Sequence, residues 1–155
     1  MSASPFAAES LTAAVHRGVV RVPYSTVDFQ TAVRGLLVSP LLACGVSPTR
    51  VDEIVDCVLK REQTGSTCSG PIALPHARTG GIPTIVAGLG INPAGVYPGG
   101  STRVMLAFVT PQDAAAEHLR FLSSAAKTFR DSAFLDRLQA AATPEDVLAL
   151  LRDAG

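Results

Sequence analysis

The sequence predicts an α/β fold, a single domain in which a layered mixed β-sheet is flanked by helices. Three observations carry that expectation. Thr84 to Ile91 and Thr102 to Val109 are apolar, β-branched runs of strand length, the pattern of buried central strands. Segments with apolar residues at helical spacing lie on both sides of them, and strands interspersed with helices pack as layers. A length of 155 residues fits one domain and buries roughly 68–70% of the unfolded chain's surface, enough for a core without disulfide or metal.

Taken in order, residues 1–17 are Ala- and Ser-rich with weak periodicity and read as a weakly ordered arm or a short helix, leaving 18–155 as the folded domain. His16 then lies in the arm, in solvent. Val19 to Val22 reads as a short strand. Thr26 to Val38 places Val33, Leu36 and Leu37 at helical spacing, and Pro40 should end or kink that helix. The next helix has the plainest signals: Ser47 as cap, Pro48 in the first turn, a stripe of Val51, Ile54, Val55, Val58 and Leu59, and a stop before Gly65. A loop of small residues, GSTCSGP, leads to a short strand over Ile72 to Leu74 and then to Pro75 and His76. The two long apolar strands are joined by the turn-rich NPAGVYPGGS. Leu119, Leu122, Ala126 and Phe129 then mark a helix between about Asp113 and Arg130. Asp131 caps another through Phe134, Leu135 and Leu138, and Thr143-Pro144-Glu145-Asp146 opens the last, which buries Val147, Leu148 and Leu151.

Composition removes several function classes. Thirteen basic and thirteen acidic residues give a formal net charge of zero, so no global field points to nucleic acid or an anionic membrane, and an aromatic content of 5% without Trp argues against a base-stacking surface. Cys44, Cys57 and Cys68 form no CxxC pair and suit reduced thiols in a cytoplasm better than a disulfide framework or structural zinc. No basic n-region opens the chain and no apolar run approaches ~18 residues, so a soluble protein without membrane insertion is expected.

The block REQTGSTCSGPIALPHAR, Arg61 to Arg78, holds the candidate chemistry. Small residues let successive N–H groups converge on an anion, the hydroxyls of Ser66 and Thr67 add donors, and Arg61 or Arg78 supplies bidentate charge. A neutral imidazole at His76 can attack phosphorus when a hydrogen bond from its other nitrogen fixes the tautomer, and positioning with fixed charges leaves no need for a metal. Each residue also has a plain structural reading: a surface histidine after a proline, an Arg favoured at a helix C-terminus, and, at His118, a partly buried helix histidine. Cys68 as a thiolate nucleophile would need a long phosphate loop running directly into a helix, which does not follow it.

Arg61-Glu62, Gly65-Ser66-Thr67, Ile72 to Arg78 (IALPHAR) and His118-Leu119 opening LRFLSSAAKTFRD together resemble the type-2 IIA domains of the bacterial sugar phosphotransferase system (PTS), the fructose/mannitol and nitrogen-regulatory family. Between Thr67 and Ile72 this loop reads CSGP, where family members commonly carry a longer Gly-rich stretch. The resemblance implies that His76 is the phosphoacceptor, that His118 is its active-site companion, that Arg61 holds the phosphoryl group or orders the loop, and that Ser66, Thr67 and Arg78 bind phosphate, with no cofactor. It implies HPr or its nitrogen-branch paralogue as donor. The recipient is a IIB domain serving sugar uptake or, in the alternative, a target protein controlled by phosphorylation-dependent binding, with at most peripheral association with a transporter. An interaction domain that kept the fold without phosphoryl transfer is the third reading, against which the histidine pair and Arg61 count.

Overall fold

In a computed structural model of the protein, the described residues are 10–22, 24, 28–93 and 102–154. They form α1 (Leu11–Arg17), β1 (Val19–Arg21), α2 (Phe29–Ala43), α3 (Pro48–Thr64), β2 (Ile72–Ala73), β3 (His76–Thr79), β4 (Val86–Ile91), β5 (Val104–Pro111), α4 (Ala115–Thr128), α5 (Ser132–Ala140) and α6 (Pro144–Ala154). The sheet runs β1–β4–β5, with β2 and β3 both on the outer edge of β5. β4 and β5 are antiparallel, whereas β1 on β4, and β2 and β3 on β5, are parallel, so the sheet is mixed.

Every residue of β4 and β5 is buried, as expected of central strands covered on both faces. Ala87, Leu89 and Ile91 with Leu106 and Phe108 pack against α1, α4, α5 and α6, while Val86, Met105, Ala107 and Val109 face α2 and α3. This alternation is the period of two that a strand imposes. Each fully buried Leu, Ile or Phe contributes about 1.5–3 kcal/mol, so the two faces hold most of the stabilising area.

Four expectations are refined. Residues 1–9 lie outside the described residues, and residues 11–17 take the helical alternative: Ser10 accepts from the Ala13 N–H, and Leu11, Ala14 and Val15 are buried in the core. A seven-residue helix is too short to show periodicity among so many alanines. His16 is exposed on it. Second, of the two expected effects of Pro40 an end does not occur, since α2 runs on to Ala43. Only one backbone bond is lost there, and Pro40 and Leu41 are buried, so packing outweighs the missing N–H. The Leu36 carbonyl, which residue 40 would otherwise have bonded, lies against Gly88 of β4, where a Cβ would stand 2.2 Å from that oxygen and 2.8 Å from the Leu36 Cβ.

Third, His76 opens a strand, β3. Ala73 pairs with Met105 and His76 with Phe108, the same offset, so β2 and β3 are one edge strand interrupted at Leu74-Pro75. Proline is tolerated there because it immediately precedes β3 on an edge strand, where only one ladder donor is forgone, and its carbonyl still accepts from the Phe108 N–H at 3.1 Å. Fourth, the buried stripe of α4 is His118, Phe121, Ala125 and then Phe129, and Leu119 is 64% exposed. The helix is rotated by about one residue from the expected stripe.

The segment joining β4 to β5 lies mostly outside the described residues, as do residues 25–27 before α2, whose cap is Asp28 accepting from the Thr31 N–H at 2.7 Å. Ser47 caps α3 as expected, and the Thr143 hydroxyl accepts from Asp146 at 3.1 Å in the first turn of α6.

Gly88→Ala should destabilise the protein by about 1–3 kcal/mol, because a methyl group must displace the backbone of α2 rather than a flexible side chain. Urea denaturation measures it. An unchanged midpoint would show that α2 does not ride on Gly88.

Candidate functional site

Register alone brings four side chains together. His76 pairs with Phe108 and Arg78 with Thr110, and residues two apart on a strand share a face, so all four belong to the face covered by α4. The His76 and Phe108 rings stack with centroids 5.0 Å apart and planes at 12°. α4 follows β5 and lays His118 over this group, its ring 5.2 Å from that of His76 and 5.9 Å from that of Phe108. Both histidines are buried, His76 to 5% exposure and His118 to 8%.

The Nδ1 of His76 lies 2.7 Å from the Leu74 carbonyl oxygen. A carbonyl can only accept, so Nδ1 carries the proton and Nε2 the lone pair. The Nδ1 of His118 lies 2.6 Å from the Thr110 hydroxyl. Burial lowers the pKa of His76; the Leu74 hydrogen bond raises it, Arg61 lowers it and Glu62 raises it. For His118, burial and then His76, Arg78 and Arg61 push the pKa down to about 4. Both imidazoles are therefore poised to stay neutral at neutral pH.

These rings open onto a cleft of about 390 Å³ lined by Arg61, His76, Ala77, Arg78, Ala115, His118 and Leu119. No carboxylate is among the lining residues that are described. Arg61 donates from its guanidinium to the Gly65 carbonyl at 2.9 Å, which holds it at the end of α3 with donors to spare. Arg78 is exposed and makes no hydrogen bond or ion pair among the described residues. Ala115 is the first residue of α4, and Ala114 before it supplies no side-chain cap, so the positive end of the helix also meets the cleft. The arrangement can present a nucleophilic nitrogen to an electrophile carrying anionic oxygens.

Ser66 and Thr67, expected to bind phosphate, are not among the residues that line this cleft. The Thr67 hydroxyl donates to the Glu62 carboxylate at 2.7 Å and accepts from the Leu74 N–H at 3.1 Å, so its single proton is committed. The Thr67 N–H donates to the same carboxylate at 2.7 Å. Ser66 is exposed, accepts from the Cys68 N–H at 3.1 Å, and borders a separate hollow with Phe29, Gln30 and Leu59. With only CSGP between Thr67 and Ile72, the loop is pulled down onto Glu62.

Glu62 and Thr67 therefore reach His76 indirectly, from carboxylate to hydroxyl to Leu74 amide to imidazole. Sequence reasoning gave Glu62 no role and passed over Leu74, Phe108 and Thr110. Only the placement of Thr110 two residues after Phe108 at a strand end offered a signal, and it has meaning only once the strand pairing is known.

Residues 37–154 match the family model "Phosphoenolpyruvate-dependent sugar phosphotransferase system, EIIA 2". The chain belongs to this family. The PTS system 2-O-alpha-mannosyl-D-glycerate-specific EIIABC component of Escherichia coli (strain K12) is 28% identical over 154 residues, which span 94% of this chain but only 23% of that protein. Nitrogen regulatory protein IIA-Ntr from Neisseria meningitidis superposes with a TM-score of 0.73 at 23% identity, over 87% of this chain and 93% of the other. The IIA mannitol enzyme of Escherichia coli, solved in complex with phosphorylated IIB mannitol, gives 0.66 at 19% identity over 86% and 94%. The EIIA 2 fold is thus shared with both a sugar-specific and a nitrogen-regulatory protein. Among the described residues of this EIIA 2 chain, no helix is long and apolar enough to cross a membrane.

Two outcomes follow from this geometry. An imidazole with an ordinary pKa of 6.5 held at about 4 on folding means that, between those values, the unfolded chain binds a proton that folded His118 refuses. His118 thus contributes no penalty above about pH 6.5, lowers stability as pH falls through that window, and adds no further change below it. Proton-detected histidine titration should find His118 neutral at pH 5; an ordinary midpoint near 6.5 contradicts the burial argument. Thr67→Val strips the donor from Glu62 and the acceptor from the Leu74 N–H, and should cost about 1–3 kcal/mol in urea melts, while Thr67→Ser loses less.

Proposed function

We propose that this protein is a phosphoryl carrier in which His76 Nε2 accepts a phosphoryl group from the phosphohistidine of HPr or its nitrogen-branch paralogue. The observation that carries this reading is the Nδ1–H of His76 held on the Leu74 carbonyl, which leaves the Nε2 lone pair in a cleft with two arginines. The Nε2 lone pair forms the new P–N bond as the donor's P–N bond breaks, and the donor nitrogen keeps that electron pair. Positive charge arriving on the ring is stabilised by the Leu74 oxygen through Nδ1–H. Arg61 and Arg78 neutralise the phosphoryl oxygens, His118 contacts them from α4, and the uncapped helix end adds its dipole. No metal or cofactor enters this scheme. Ser66 and Thr67 serve it only by ordering the loop.

The onward step takes the phosphoryl group from His76 to a cysteine of a IIB partner for sugar uptake. Its support is the 28% identity to a segment of the mannosylglycerate-specific component and the fold shared with a mannitol IIA solved with phosphorylated IIB. A regulatory role, in which phosphorylation-dependent binding controls a target without sugar transport, is favoured instead by the shared fold with IIA-Ntr. The cytoplasm, where such donors act, is the proposed location.

Incubation with phosphoenolpyruvate, enzyme I and HPr or its paralogue should give an acid-labile phosphoryl adduct on the wild type and none on His76→Ala. Equal labelling of the two would sink the assignment. Chase of the adduct onto purified IIB favours uptake; an adduct inert to every IIB favours regulation.

A further inference from the structure

We infer that Thr110 is a positioning residue that fixes His118 as the Nε2–H tautomer, so that His118 presents a hydrogen-bond donor to the phosphoryl group beside the nucleophilic Nε2 of His76. This rests on the proposed reading of the cleft.

The assignment comes from where protons can go. Thr110 is 0% exposed, and its hydroxyl has one hydrogen-bonding neighbour among the described residues, the Nδ1 of His118 at 2.6 Å. A buried O–H must donate, whereas an unused lone pair on a hydroxyl oxygen costs little. If His118 Nδ1 held a proton, two hydrogens would point at each other or the Thr110 proton would face apolar surroundings. Thr110 therefore donates and Nδ1 accepts. The neutral imidazole, kept so down to about pH 4, has one ring proton, and it must sit on Nε2.

The two histidines are thereby set in opposite states by two different acceptor and donor groups. The Leu74 carbonyl makes His76 Nδ1 a donor and its Nε2 a lone pair; the Thr110 hydroxyl makes His118 Nδ1 an acceptor and its Nε2 a donor. With rings 5.2 Å apart at one cleft, the first can attack phosphorus while the second binds an oxygen on it. Two lone pairs there would repel the incoming anion, and two N–H groups would leave no nucleophile. Register supplies the arrangement: Arg78 pairs with Thr110, so the residue that sets the tautomer and a cation of the cleft lie side by side.

Long-range proton–nitrogen correlation spectra of the full chain should show His118 protonated on Nε2 with Nδ1 accepting, and His76 protonated on Nδ1. An Nδ1-protonated His118 overturns the inference. Thr110→Val keeps the shape but not the proton, and should slow phosphoryl transfer onto His76 by roughly tenfold or more, since removing a single oxyanion donor commonly costs a factor of about 10²–10³. Thr110→Ser should restore the rate. Wild-type transfer by Thr110→Val also overturns it. If Thr110→Val does not fold, the wild-type spectrum decides alone. If the wild type takes no phosphoryl group on His76, the reading of the cleft fails, while the tautomer still stands or falls by the spectrum.

Discussion

The constraint on which the cleft depends is the register that β2 and β3 keep along β5 across the Leu74-Pro75 break. A slip of one residue would turn His76 and Arg78 to the opposite face of the sheet, under α2 and α3. The break also has a use. Pro75 has no N–H to give β5 but keeps its carbonyl on the Phe108 N–H, so the strand is interrupted without losing register, and the Leu74 carbonyl turns to the His76 ring. A continuous strand would have directed that carbonyl along the sheet. The Thr67 hydroxyl accepts from the Leu74 N–H, which faces away from β5 at the open edge of the sheet and has no strand to bond.

That hydrogen bond ties the loop to the electrostatics of His76. Glu62 raises the affinity of His76 for a proton and Arg61, its neighbour at the end of α3, lowers it. The two charges point to different tasks: Glu62 turns inward to hold Thr67, and Arg61 lines the cleft. A carboxylate facing the cleft would repel an anion, so committing Glu62 to two hydrogen bonds from Thr67 removes a charge of the wrong sign while using it as an anchor.

Much of the fold was legible because period and punctuation agree. The two long strands, the Ser47 cap with Pro48, and the Asp131 cap all combine local chemistry with apolar spacing. Pro40 misled as a helix stop because a rule about backbone hydrogen bonds was weighed without the tertiary packing of Leu36 and Leu41 that overrides it. His76 was legible only through its neighbours in sequence. Thr110 and Phe108 were not, since what makes them part of the site is cross-strand pairing, which sequence spacing does not state. Thr67 illustrates the converse: a hydroxyl in a small-residue loop has the chemistry of a phosphate donor, and only the structure shows it directed to Glu62.

The departures from local rules are concentrated in one place. α4 buries His118 and exposes Leu119, forgoing about 1.5–3 kcal/mol that burying a leucine contributes. It begins without a side-chain cap, where Ser, Thr or Asp would typically contribute about 1 kcal/mol. Arg78 projects into the cleft without a counter-ion among the described residues. None of these choices improves folding, and all of them share the seven residues that line the cleft. Helices α5 and α6, which are remote from it, obey every rule: capped starts, buried stripes and basic residues in the last turn. Natural sequences give up local consistency at functional positions, so the rotation of α4, read against the regularity of α5 and α6, is independent physical support for placing the chemistry at His76 and His118 rather than at Cys68, whose loop is held by ordinary hydrogen bonds.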